Sequence, residues 1–119
     1  MSYFTGLIPL GKFSIVAGTT QLLTANLGPQ KQVPGSAQST KTVRQIIVSA
    51  DGANTGQIFL LPAGQKFSSN PGNVLAAFSK GTTIAIPSGI MLGGALALDN
   101  LCFDADTGTN TVYAMAVVG

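Results

Sequence analysis

The sequence predicts an all-β protein, a single antiparallel β-sandwich, jelly-roll-like, with an extended N-terminal arm. Three observations lead there. Gly and Pro number 15 and 6 in 119 residues, and they are spread over the whole length. Only the stretches 36–51 and 95–107 run past ten residues without either. Helices average about 11 residues, so little of the chain has room for one. Runs rich in Val, Ile and Thr are separated by turn residues at the spacing of an all-β sandwich. The apolar content of 45% and mean hydropathy of +0.40 favour a packed core over disorder. A folded 12.0 kDa chain exposes roughly 6,000 Å², against roughly 17,000 Å² unfolded, which suits one core and one domain.

In chain order, the first strand is expected at 12–17, closed by Gly18, and the second at 20–25, closed by Asn26-Leu27-Gly28-Pro29. Residues 30–40 read as a polar loop around Pro34-Gly35. The strongest strand signal is 42–50. There Arg44, Ile46, Val48 and Ala50 alternate with Val43, Gln45, Ile47 and Ser49, and both faces are mixed. Asp51-Gly-Ala-Asn-Thr-Gly56 is a turn, since Gly and Asn tolerate positive φ. A short strand at 57–61 stops at Pro62, and 63–72 is loop. Residues 73–79 fit either a strand or one helical turn. Residues 82–86 form a strand ending at Pro87, and 90–92 a short extended piece. Strands at 95–98 and 101–103 flank an Asp99-Asn100 turn. The last strand, 110–118, sets Thr111, Tyr113, Met115 and Val117 on one face and Val112, Ala114, Ala116 and Val118 on the other.

Composition removes most chemistry. His, Trp and Glu are absent and there is one cysteine, which excludes His-based triads, His metal sites and disulfide frameworks. Cys102, in the run Leu101-Cys102-Phe103, reads as a small buried thiol. The net charge is +2 and no two basic residues lie closer than three positions. Nucleic-acid binding is not expected, because phosphate recognition concentrates Lys and Arg. Nor is a membrane span: no uncharged stretch exceeds 18 residues, and the one between Lys80 and Asp99 is interrupted by Gly and Pro. The N-terminus lacks the basic and unbroken apolar regions of a signal peptide. Asp104 and Asp106, spaced by two, could offer oxygens to a hard cation. The following Thr107-Gly108-Thr109-Asn110 fits neither an EF-hand nor an aspartyl-nucleophile motif, and a strand-to-strand turn is the simpler reading. Ser79-Lys80 adjoin without a geometry for nucleophilic catalysis. No enzyme, no cofactor and no metal are expected.

Tyr3, Phe4, Leu7, Ile8, Leu10 and Phe13 form an apolar run broken by Gly6, Pro9 and Gly11. It is either a first strand tucked into the core or a docking arm that adds to a neighbour's sheet. The arm reading divides the chain into an arm or first strand, 1–18, and a sandwich domain, 19–119. Charged residues make up 8% of the chain, whereas Thr, Ser, Asn and Gln number 34. Free monomers keep more charge outside, and exposed strand edges carry Lys or inward charges. The strands at 20–25, 57–61 and 82–86 carry none. So neutral an exterior suits a building block covered by neighbours.

Thr42-Val-Arg-Gln-Ile-Ile-Val-Ser-Ala50 leads into Asp51-Gly-Ala-Asn-Thr-Gly-Gln-Ile-Phe59. Lys80-Gly-Thr-Thr-Ile84, Leu101-Cys-Phe-Asp-Ala-Asp-Thr-Gly108 and the strand 111–118 follow. This order resembles small β-sandwich structural proteins of tailed bacteriophage virions, over the last two thirds of the chain. The family's early Gly after the second strand is replaced here by Leu61-Pro62-Ala63-Gly64. The resemblance implies a virion protein assembled in the host cytoplasm, a head decoration or cement protein that reinforces the shell. Its partners would be itself, as homodimer or homotrimer, and the major capsid protein or another virion protein. A tail, baseplate or fibre-associated component is the alternative. A carbohydrate-binding sandwich is another, although only Tyr3 and Tyr113 could supply tyrosine platforms.

Overall fold

The computed structural model describes residues 6–26, 43–87 and 98–118. They form eight strands: β1 (Gly6–Val16), β2 (Gln21–Leu22), β3 (Val43–Ala50), β4 (Ile58–Pro62), β5 (Ala76–Phe78), β6 (Thr83–Pro87), β7 (Leu101–Ala105) and β8 (Thr109–Val118). Short 3-10 turns occupy Pro71–Asn73 and Leu98–Asn100. The strands pair into two four-stranded sheets, β1-β8-β3-β6 and β2-β7-β4-β5. All named pairings are antiparallel. The pairs β1–β8, β2–β7, β3–β6 and β4–β5 are those of one long hairpin, folded at the β4–β5 loop and rolled up so that its arms split between two sheets. That is the jelly roll, with its two Greek keys.

The inner faces of both sheets meet in one core. From the first sheet come Phe13, Ile15, Ile46, Val48, Ile86 and Val112; from the second, Ile58, Leu60, Phe78, Leu101 and Phe103. Phe103 of β7 holds the layers together. Its ring meets Phe13 edge-on at 5.2 Å and Phe78 at 6.2 Å, the geometry that aromatic quadrupoles favour.

Two bulges set which residues face that core. In β1, Pro9 stands opposite Met115 and Gly11 opposite Ala114, so Leu10 is an extra residue. Unbroken alternation would send Lys12 inward with Leu10 and turn Phe13 out to water. The bulge restores the order: Leu10, Phe13 and Ile15 are buried and Lys12 is exposed. Gly11 makes it possible with a φ of 100°, a conformation that a Cβ penalises. The Asn26 amide secures the loosened backbone, donating from Nδ2 to the Lys12 carbonyl at 2.9 Å and the Leu10 carbonyl at 3.4 Å.

The second bulge lies between Val43 and Gln45 in β3. Strict alternation would place Arg44 on the side of Ile46, Val48 and Ala50. Instead Arg44 is exposed and Val43 buried. The faces are therefore less mixed than alternation predicts: Val43, Ile46, Val48 and Ala50 go inside, and Gln45, Ile47 and Ser49 stay partly exposed.

Other boundaries shift for local reasons. β1 begins at Gly6, six residues before its expected start, because β8 is long enough to pair with it from Gly6 opposite Val118 to Val16 opposite Thr109. Gly6–Val16 thus belongs to the sandwich. β2 keeps only Gln21 and Leu22. The ambiguous stretch at 73–79 resolves into the end of a 3-10 turn and the strand β5. β7 runs on to Ala105 and takes in Asp104, expected in the turn. Ser79 and Lys80 sit in the exposed β5–β6 turn rather than on a strand. Leu98, expected to end a strand, opens a 3-10 turn. The loop expected at 30–40 and the extended pieces at 90–92 and 95–97 lie outside the described residues. Among the described residues, no helix is long and apolar enough to cross a membrane.

Candidate functional site

The six residues singled out for docking do not share one environment. Tyr3 and Phe4 lie outside the described residues. Leu10 and Phe13 are buried in the chain's own core, and Ile8 packs partly against it. Leu7 points outward, 61% exposed, opposite Val117. Alternation on either side of the bulge at Leu10 divides the run in this way.

The acidic segment is a structural joint. Asp104 is 1% exposed on the outer side of β7. Its Oδ1 accepts the backbone N–H of Gly18 at 3.0 Å and of Ala105 at 2.8 Å, and its Oδ2 accepts that of Phe67 at 2.7 Å. One carboxylate thereby ties the β1–β2 turn and the β4–β5 loop to β7, through charge-assisted bonds. Asp106, exposed, accepts Gln57 N–H at 2.9 Å. The two side chains thus bond to separate parts of the chain. Among the described residues no group of three or more His, Cys, Asp or Glu side chains gathers as a metal site would.

Two buried asparagines complete the joint. Asn110 Oδ1 accepts the N–H of Thr55 at 3.1 Å and of Gly56 at 2.9 Å, while its Nδ2 donates to the Thr107 carbonyl. Asn54 exchanges two bonds with the Thr111 backbone, Nδ2 to O at 2.9 Å and N to Oδ1 at 2.7 Å. The Asn-Thr-Gly turn is thus bolted onto the start of β8. Gly56 is required by proximity: a Cβ there would stand 2.5 Å from Asp106 Oδ1 and 2.7 Å from the Thr107 carbonyl. Beside this joint an open, polar cleft of about 430 Å³ is lined by Asn54 to Gln57, Ser79, Lys80 and Asp106.

The outer faces of the two sheets differ. The β4–β5 loop folds back over the second sheet. Phe67 stacks on Phe59 at 4.0 Å, with rings within 3° of parallel. Phe59, Leu61 and Cys102, with Phe67 and Val74 packed on them, form a second small core outside the sheet. The Cys102 thiol donates to the Pro62 carbonyl at 3.4 Å, and burial pushes its pKa above the ordinary thiol value. On the first sheet, Tyr113 and Leu7 are exposed and Ile47, Met115 and Val117 partly so. Alternation assigns Tyr113, Met115 and Val117 to one face from sequence alone. It could not say that this face lies outside, because the opposite one is equally apolar.

No family model matches the chain, and no curated protein matches it. Among solved structures it is similar to the Tobacco streak virus coat protein dimer, with a TM-score of 0.54 and 12% identity, over 97% of this chain and 84% of that one. A second structure of Tobacco streak virus coat protein gives a TM-score of 0.49 and 11% identity, over 97% and 85%. At such identity the likeness of the first establishes a shared fold: this chain has the β-sandwich architecture of a viral coat protein.

Proposed function

We propose that the chain is a structural subunit of a virus particle, acting by self-association and by contact with other shell proteins. The observation that supports this best is the two-sheet sandwich shared with Tobacco streak virus coat protein over 97% of the chain. The low charge of 8% agrees, since surfaces buried between subunits are depleted in charged groups. The mechanism is passive. Binding only the assembled lattice stabilises it over its dissociated subunits by mass action. Contacts between neutral surfaces make that binding weakly salt-dependent.

In its finer form, the protein is a head decoration or cement subunit of a tailed bacteriophage, seated on the major capsid protein and assembled in the host cytoplasm. A second reading is a shell-forming coat protein, favoured by the likeness to a coat protein dimer. Imaging purified particles with bound antibody, together with stripping by mild denaturant, separates the two. A decoration protein comes off and leaves a closed shell; a coat protein takes the shell with it. Label on the tail assigns a tail, baseplate or fibre component. Absence of the protein from purified particles overturns the virion reading altogether.

A further inference from the structure

The strand register lays out the outer face of the first sheet as a grid. Leu7, Val117, Gln45 and Pro87 form one row, and Pro9, Met115, Ile47 and Ala85 the next. A third row holds Lys12, Tyr113, Ser49 and Thr83. The first two rows are apolar except for Gln45, and the only charge in the grid is Lys12, in its third row. Leu7, Pro9, Ala85 and Pro87 are exposed. Ile47, Ser49, Tyr113 and Met115 border a shallow hollow of about 210 Å³. The chain covers the outer face of its second sheet with its own Phe67 loop. Over the first sheet, no described residue does the same.

We infer that this face is a two-fold contact between copies of this chain, sheet against sheet. The inference rests on the virion-subunit reading and names the surface through which the subunit pairs. Charge selects a second copy over a charged partner. A two-fold contact sets each patch against itself, and a neutral apolar patch does so without opposing like charges. A partner recognised by charge would meet only Lys12 in the grid and exposed Arg44 at its edge. Size agrees. Four strands about 4.8 Å apart and the eight residues of β3 at about 3.3 Å give a face of roughly 500 Å². Two copies would bury about 1,000 Å², the floor for a specific interface. Sheets that stack face to face do so about 10 Å apart.

Sedimentation velocity of the full chain, from micromolar to millimolar concentration, tests this. The variants are Leu7→Glu and Ala85→Glu, both at exposed positions, with Ala77→Glu, at the exposed position of β5, as control. Far-ultraviolet circular dichroism checks that each is folded. The expected result is a dimer that dissociates at least tenfold more readily in Leu7→Glu and in Ala85→Glu, and unchanged in Ala77→Glu. An oligomer that survives both substitutions overturns the sheet-face contact and leaves the virion reading standing. A wild-type chain that stays monomeric at millimolar concentration overturns the contact as well. The virion reading fails separately, by absence from purified particles.

Discussion

Replacing Asp104 by Ala should cost about as much stability as emptying a core position. Two of its three bonds reach distant segments, to Gly18 and Phe67. Hydrogen bonds to a charged acceptor contribute about 1.5–3 kcal/mol each, so the gross loss is about 3–6 kcal/mol. Removing the carboxylate also relieves the desolvation that a 1% exposed charge suffers, which returns part of that sum. A net loss of about 3 kcal/mol is expected, a large share of a stability of about 5–15 kcal/mol. With a urea slope of about 2 kcal/mol/M, the midpoint should fall by about 1.5 M. Asp104→Asn keeps one acceptor oxygen and should lose roughly half as much. Native-state hydrogen exchange adds a local readout: the Gly18 and Phe67 amides should lose protection before those of β8. A midpoint shift equivalent to less than about 1 kcal/mol, with both amides still protected, would refute the joint as the reason this carboxylate is buried.

Gly11→Ala must take a φ of 100° and set its Cβ 3.0 Å from Asn26 Nδ2. Thermal unfolding should show a loss of about 1–3 kcal/mol. Asn110→Ala strips the acceptor from Thr55 and Gly56 N–H. About 2 kcal/mol should go in urea titration, with faster exchange at those two amides. Cys102 should react with a thiol reagent only at the rate of unfolding. Its pKa is raised in the folded state, so its contribution is complete below the ordinary thiol value of 9.0 and is lost as pH climbs toward the folded value. Denaturation midpoints across that range should fall for the wild type and stay flatter for Cys102→Ala.

Much of the sandwich is legible in the sequence because turns and strands announce themselves locally. Pro62 and Gly81, the Asn-Thr-Gly turn and the alternation of β8 each place an element without help from the rest of the chain. What is hidden is whatever depends on a partner strand. The bulge at Leu10 follows from β8, and the one at Arg44 from keeping a guanidinium out of the core. Neither follows from propensity. β7 takes in Asp104 because its pairing with β4 runs from Pro62 opposite Leu101 to Ile58 opposite Ala105. Turn chemistry alone suggested that Asp104 would lie beyond the strand. Phe67 looks like an isolated aromatic in a polar loop. Its stacking on Phe59 appears only once the loop crosses the sheet. The docking residues Leu7, Ile8, Leu10 and Phe13 are all apolar, and only the sheet divides them into buried and outward-facing members.

The rolled hairpin also constrains how the protein comes into being. β8, last of the eight strands in chain order, lies between β1 and β3 in its sheet. Until β8 has been made, β1 has no neighbour in that sheet, and Leu10, Phe13 and Ile15 have no completed layer to enter. Gly6 pairs with Val118, so this layer closes only by bringing together segments more than a hundred residues apart, a slow topology for folding. The apolar first segment therefore stays unpaired in its sheet until β8 has been made.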